Sequence, residues 1–288
     1  MNKFRGLGVA MITPFNADKS IDFVGLEKLT NHLINGGVNY LVVMGTTGEN
    51  PTISNEEQQT ILQKVKEVNA GRLPIVFGIG GNDTAAVVNR LQEENLEGVD
   101  GILCVSPYYN KPSQEGVFQH YKAVNDASPL PVIMYNVPGR TGSVVSAETT
   151  LRIAELTNIV CTKEASGSLD ICMDIIHNAP EGFGVISGDD HYTLPYIATG
   201  MQGVISVIGN AYPKEFSQMV NYALDGDYKN ARHLHYQLLP MIKAIFKDGN
   251  PGGVKYVLAK LGICENYFRL PVVPVNQATM QAADKAML

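Results

Sequence analysis

No apolar stretch in these 288 residues approaches the ~20 needed to span a bilayer, so no membrane helix is expected. Basic residues are in short supply: 22 Lys and Arg stand against 28 Asp and Glu, a formal net charge of −6. That balance, without any basic run, argues against nucleic acid or an anionic membrane surface as a partner. Cysteine is sparse as well. Cys104, Cys161, Cys172 and Cys264 show no CxxC spacing, and Cys104 and Cys161 sit inside apolar runs. Buried free thiols in a reducing cytosol fit this better than a disulfide framework. The opening residues 1–6 carry no apolar leader segment, so a cytoplasmic location is expected. No Walker or nucleophile-elbow pattern is present. His32, His120, His177, His191, His233 and His235 include no i, i+4 pair, and His233 and His235 would face different sides of a helix. Asp189-Asp190 offers fewer oxygen ligands than a hard-cation site usually draws. No metal and no cofactor is expected.

What the chain does have is repetition of architecture. Eight β-rich runs recur at 8–12, 40–44, 74–79, 101–105, 131–135, 159–163, 183–187 and 203–207. They are apolar almost throughout rather than alternating, as parallel strands covered on both faces should be. Helical signals fill the gaps. Ser54 and Glu57 make a capping box ahead of Ile61, Leu62, Val65 and Val68, and Gly36-Gly37 and Gly98 stand where helices end. Eight such units predict an α/β fold, a (β/α)8 TIM barrel over residues 1–224. An open doubly wound sheet would normally carry a glycine fingerprint after its first strand. The nearest candidate, Gly78-Ile79-Gly80-Gly81, follows the third run and lacks the spacing. After Tyr212 the strand signal stops, and 214–224, 227–247, 252–261 and 276–287 read as helices broken by Gly226, Pro251 and Pro271. Residues 225–288 thus form a C-terminal helical extension, suited to oligomer contacts.

Chemistry in such a barrel concentrates at the C-terminal strand ends. Lys163 ends the sixth run. A buried ammonium loses hydration, which lowers its pKa from about 10.4 toward neutrality and frees the amine for attack on a carbonyl. The bland reading is a lysine whose stem is buried and whose head reaches water. Against it stands the polar company at the other strand ends: Gly45-Thr46-Thr47-Gly48-Glu49, Ser106-Pro107-Tyr108-Tyr109-Asn110-Lys111-Pro112, Tyr135 to Gly142, and Ser187-Gly188-Asp189-Asp190. Convergent polar groups around a perturbed lysine mark a site. The 45–48 turn, with two hydroxyls and backbone N–H groups ahead of a helix, suits a carboxylate. Tyr135 can donate and accept a proton, and Arg140 offers a fork for a second carboxylate.

Residues 45–49, 107–112, 135–142 and 163–165, in that order, closely resemble the pyruvate-dependent class I aldolases and lyases, and among them the dihydrodipicolinate synthase family of lysine and diaminopimelate biosynthesis. The resemblance covers the whole chain. It implies that pyruvate forms a Schiff base on Lys163 and then condenses with L-aspartate 4-semialdehyde. It further implies a proton relay of Tyr135, Thr46 and Tyr109, and a pyruvate carboxylate held by Thr47 and the backbone of Ile205. Arg140 would take the carboxylate of the semialdehyde. Family members are typically homotetramers, dimers of tight dimers, in which Tyr109 enters the neighbouring subunit's site. The remaining alternatives are a different pyruvate aldolase, such as a sialic acid or keto-sugar-acid lyase, and a non-catalytic keto-acid-binding barrel. Lysine-inhibited members bind lysine with histidines and a glutamate. Here Asn55, Gln58 and Ala86 stand at the corresponding places, while Asn82 and Tyr108 remain, so weak or absent inhibition is expected.

Overall fold

The computed structural model describes residues 3–288; Met1 and Asn2, where the expectation of no leader begins, lie outside the described residues. Strands β1 Gly6–Ala10, β2 Tyr40–Val43, β3 Ile75–Gly78, β4 Gly101–Val105, β5 Val132–Asn136, β6 Ile159–Glu164, β7 Gly184–Ser187 and β8 Gly203–Ser206 close into a barrel in chain order. Every neighbouring pair is parallel. The sheet closes where Gly6 to Val9 of β1 pair with Gly203 to Ser206 of β8, which excludes the open doubly wound arrangement. The first strand lies two residues earlier than its apolar run at 8–12. Met11 and Ile12 are buried, but the Ile12 N–H leaves the sheet and donates to the Asn210 side chain (3.1 Å).

Helices follow each strand: α1 Phe23–Asn35, α2 Asn55–Asn69, α3 Thr84–Glu93, α4 Gln114–Ala127, the single turn α5 Pro138–Thr141 with α6 Ala147–Ala154, α7 Leu169–Asn178, α8 Thr193–Ala198 and α9 Pro213–Leu224. Three more, α10 Tyr228–Phe246, α11 Gly252–Lys260 and α12 Gln277–Ala286, complete the chain. At the start of α2 the capping box forms as expected: the Glu57 N–H donates to Ser54 Oγ, and the Ser54 N–H donates to the Glu57 carboxylate.

Two apolar layers explain the unbroken strand runs. Ala10, Val42, Val76, Leu103, Ile133, Tyr135, Ile186 and Ile205 fill one cluster within the barrel. Their strand neighbours Val9, Leu41, Val43, Phe77, Ile102 and Met134 join a larger cluster with the helices. Each strand is therefore buried on both faces, and no polar residue needs to alternate along it. The C-terminal helices pack against one another and on α9. Among the described residues no helix is long and apolar enough to cross a membrane.

Candidate active site

A one-residue irregularity sets the geometry of the mouth. Val132 pairs with Ile159, but Ile133 pairs with Cys161, so Val160 is extra on β6. Without that shift Tyr135 would lie level with Thr162; with it, Tyr135 is level with Lys163. The Lys163 Nζ sits 4.1 Å from the centre of the Tyr135 ring. Only 6% of Lys163 is exposed. Burial lowers its pKa to about 8, with Asp190 and Asp189 pulling the other way and Arg140 adding to the depression. The solvated, snorkelling lysine is thereby ruled out.

The surrounding groups are held in place by the backbone. Asp190 accepts from the N–H groups of Val207 (3.0 Å) and Ile208 (2.7 Å), and burial nonetheless raises its pKa to about 6. Burial also raises Asp189. The Tyr135 phenol is pushed well above its ordinary value, chiefly by burial, so it serves as a protonated hydroxyl. Gly188 is required by space: a Cβ there would lie 2.7 Å from Ala165 Cβ and 3.0 Å from Lys163 Cε.

Two adjoining hollows of about 330 and 280 Å³ open at this end of the barrel and share Gly45, Thr46, Leu103, Tyr135, Val137 and Arg140. The larger takes in Lys163, Thr47, Gly188 and Asp189, and the smaller reaches Tyr108 and Asn50. Thr46–Gly48 forms a single 3-10 turn. Thr47 Oγ1 accepts from Asn250 Nδ2 (3.0 Å), so a residue of the C-terminal extension lies in the lining together with Phe246. Arg140 is exposed and forms no ion pair among the described residues, which leaves its guanidinium open to an incoming anion.

Of the residues picked from the sequence, Lys163, Tyr135, Thr46, Thr47 and Arg140 converge on this cavity. Tyr109 and Ile205 stand apart from the lining. Tyr109 lies in the loop after β4, 83% exposed and with φ +75, a backbone state uncommon for a tyrosine. Ile205 is fully buried on β8 with its backbone level with Gly8 of β1.

Sequence reasoning missed three features. Asn136 and Glu164, neighbours of Tyr135 and Lys163 in sequence, point to the other face, where Asn136 Nδ2 donates to both Glu164 oxygens (3.2 and 3.0 Å). Asn136 also exchanges hydrogen bonds with the backbone of Val145, which latches the loop that carries Arg140. Asn250 gave no signal beyond preceding a proline. Lys255, which nothing in the sequence singled out, is fully buried and paired with Glu49 at 2.6 Å.

A parallel barrel with a buried amine of lowered pKa, a phenol, a hydroxyl-bearing turn and an open arginine at its mouth belongs to the (β/α)8 class, with its polar groups gathered at the C-terminal strand ends. Comparison with known proteins narrows the class. The sequence profile of the dihydrodipicolinate synthetase family matches residues 3–287, and this chain belongs to that family. It is 52% identical over 278 residues, 96% of its own length and 94% of the relative's, to the 4-hydroxy-tetrahydrodipicolinate synthase of Parabacteroides distasonis. The protein of that name from Phocaeicola vulgatus is 49% identical over 97% of this chain and 94% of its own. The crystal structure of dihydrodipicolinate synthase from Thermotoga maritima superposes with a TM-score of 0.96 at 38% identity, covering 99% of this chain and 97% of that one.

Proposed function

We propose that the protein condenses pyruvate with L-aspartate 4-semialdehyde to give 4-hydroxy-tetrahydrodipicolinate, through a Schiff base on Lys163. The observation that carries this reading is the buried Lys163 amine, with its pKa lowered to about 8, in contact with the Tyr135 ring and flanked by the Thr46-Thr47 turn. The amine adds to the keto carbon of pyruvate, and the carbinolamine loses water to form an imine. Loss of a methyl proton turns the imine into an enamine. Its carbon attacks the aldehyde, whose oxygen takes up a proton, and the amino group of the semialdehyde then displaces Lys163 as the ring closes. Each step moves a proton near the same carbon. Tyr135, Thr46 and Tyr109 serve as the relay, while Thr47 and the Ile205 backbone hold the pyruvate carboxylate and Arg140 that of the semialdehyde.

Exposure of Tyr109 supports a homotetramer, a dimer of tight dimers, in which this residue completes the neighbouring protomer's relay. The barrel of residues 1–224 carries the reacting groups, and 225–288 form a helical appendage that also closes one side of the mouth. The reading places the enzyme in the cytoplasm, acting without cofactor or metal.

Incubation with pyruvate followed by borohydride should leave a reduced adduct on Lys163 detectable by mass spectrometry, and Lys163→Ala should abolish it. A coupled assay with aspartate semialdehyde and a reductase separates this activity from that of a sibling aldolase. Arg140→Ala should keep the adduct but raise the semialdehyde KM; unchanged condensation kinetics in that variant would remove Arg140 from the site.

A further inference from the structure

The turn that would hold the pyruvate carboxylate ends on a residue with no access to the cavity. Glu49 closes the Thr46–Gly48 turn: its N–H donates to the Thr46 carbonyl (3.1 Å), and its own backbone has φ +57, unfavourable for a residue with a side chain. Its carboxylate reaches 206 residues along the chain to Lys255 on α11, Oε1 to Nζ at 2.6 Å, and both side chains are 1% exposed or less. Lys255 also donates to the Tyr267 carbonyl (2.9 Å) and rests over the rings of Phe15 and Phe268. The other Glu49 oxygen accepts from the Arg269 N–H (3.4 Å).

A buried ion pair is weak evidence of stabilisation, since desolvating two charges offsets most of their attraction. What such a pair does supply is a fixed geometry. Its location matters here, because the same C-terminal segment makes a second tie to the same turn through Asn250 and Thr47. Asn250 lies just ahead of α11 and Lys255 in its first turn, so both ties come from one short stretch of the chain.

We infer that Glu49 and Lys255 are positioning residues that lock the Thr46-Thr47 turn in the conformation that receives the pyruvate carboxylate. The inference rests on the proposed condensation and deepens it. Neither residue touches substrate; they act through the turn. Loosening the turn weakens pyruvate binding and leaves the Lys163 amine and the Arg140 site intact.

Three variants test this: Glu49→Asp, which keeps both charges and shortens the reach; Glu49→Gln; and the double variant Glu49→Gln with Lys255→Met, which removes the buried charges. Glu49→Gln alone leaves an unpaired buried ammonium and should lower Tm. The double variant should regain much of that Tm. All folded variants should show a pyruvate KM raised about tenfold and, because Thr46 of the relay rides on the same turn, a kcat lowered about fivefold, with the semialdehyde KM within about twofold of the parent. A purely structural pair would instead move Tm while the pyruvate KM of Glu49→Asp and of the double variant stayed at the parent value, and that result overturns the inference. The parent protein is run alongside with pyruvate and borohydride. No adduct on the parent would sink the condensation reading and this one together; an adduct on the parent with unaltered variant KM values would sink this one alone.

Discussion

At the scale of single residues, the decisive quantity is the protonation of Lys163. Its pKa of about 8 lies below the ordinary lysine value, so the free amine grows as pH rises through that value. Pyruvate adduct formation, measured as initial trapping rate, is expected to climb about tenfold per unit from pH 6 to 7 and to level above about 9. A flat profile over that range would mean that another group limits the step. The same shift has a sign for stability. Between about 8 and 10.4 the unfolded chain binds more protons at this site than the native state, so this site makes stability rise with pH across that window and imposes its full cost below it. Lys163 was legible in the sequence because a lysine at the end of an apolar run is out of place. Lys255 was not, because its run, Gly-Gly-Val-Lys-Tyr-Val, reads as an ordinary amphipathic helix. Its carboxylate partner lies 206 positions away, and nothing local marks the pairing.

At the scale of elements, the strand ends do the sorting. Tyr135 and Lys163 face the barrel interior, while the next residues, Asn136 and Glu164, face outward and fasten the Arg140 loop. Alternation along two adjacent strands thus serves chemistry on one side and scaffolding on the other. The apolar runs made the strands readable within a residue or two. They could not reveal the extra residue at Val160, because an added apolar residue in a run buried on both faces leaves no trace in the pattern. Helices α2 and α3 carry Asn55, Gln58 and Ala86, the positions at which the resemblance leads one to expect a lysine site. Gln58 on α2 is buried and occupied: it donates to the Ile53 carbonyl (2.9 Å) and accepts from Arg90 on α3 (2.8 Å). A side chain so committed has little left for an ammonium ligand. Lysine is therefore expected to inhibit weakly or not at all, which a steady-state titration with lysine checks; inhibition in the low micromolar range would contradict it.

At the scale of the whole molecule, the barrel and its mouth are built from short-range regularities, and the closure of the site is not. Periodicity, capping and glycine stops point to eight strand-helix units because each is a local physical requirement. The lining by Phe246 and Asn250 depends on how the last helices fold back over the mouth, which no window of sequence encodes. Exposed Tyr109 belongs to a scale larger still. If it completes a neighbour's relay, then dilution or interface substitutions that yield protomers should slow pyruvate trapping on Lys163 without abolishing the end-point adduct, while condensation falls by about two orders of magnitude. Sedimentation velocity paired with the coupled assay reads both together, and full condensation by a protomer would remove Tyr109 from the mechanism.

The burial of the thiols has a bearing on selectivity. Aldehydes and keto acids react readily with soft nucleophiles, and a protein that handles them is exposed to its own side chains. Cys104, Cys172 and Cys264 are each pushed up to about 12 by burial, so virtually no thiolate exists at these positions at neutral pH. The second buried amine, on Lys255, is committed to a carboxylate and a carbonyl. At Cys104, Cys172 and Cys264 an electrophile therefore finds no thiolate on which hemithioacetal formation could start, while the Lys163 amine stands open at the mouth.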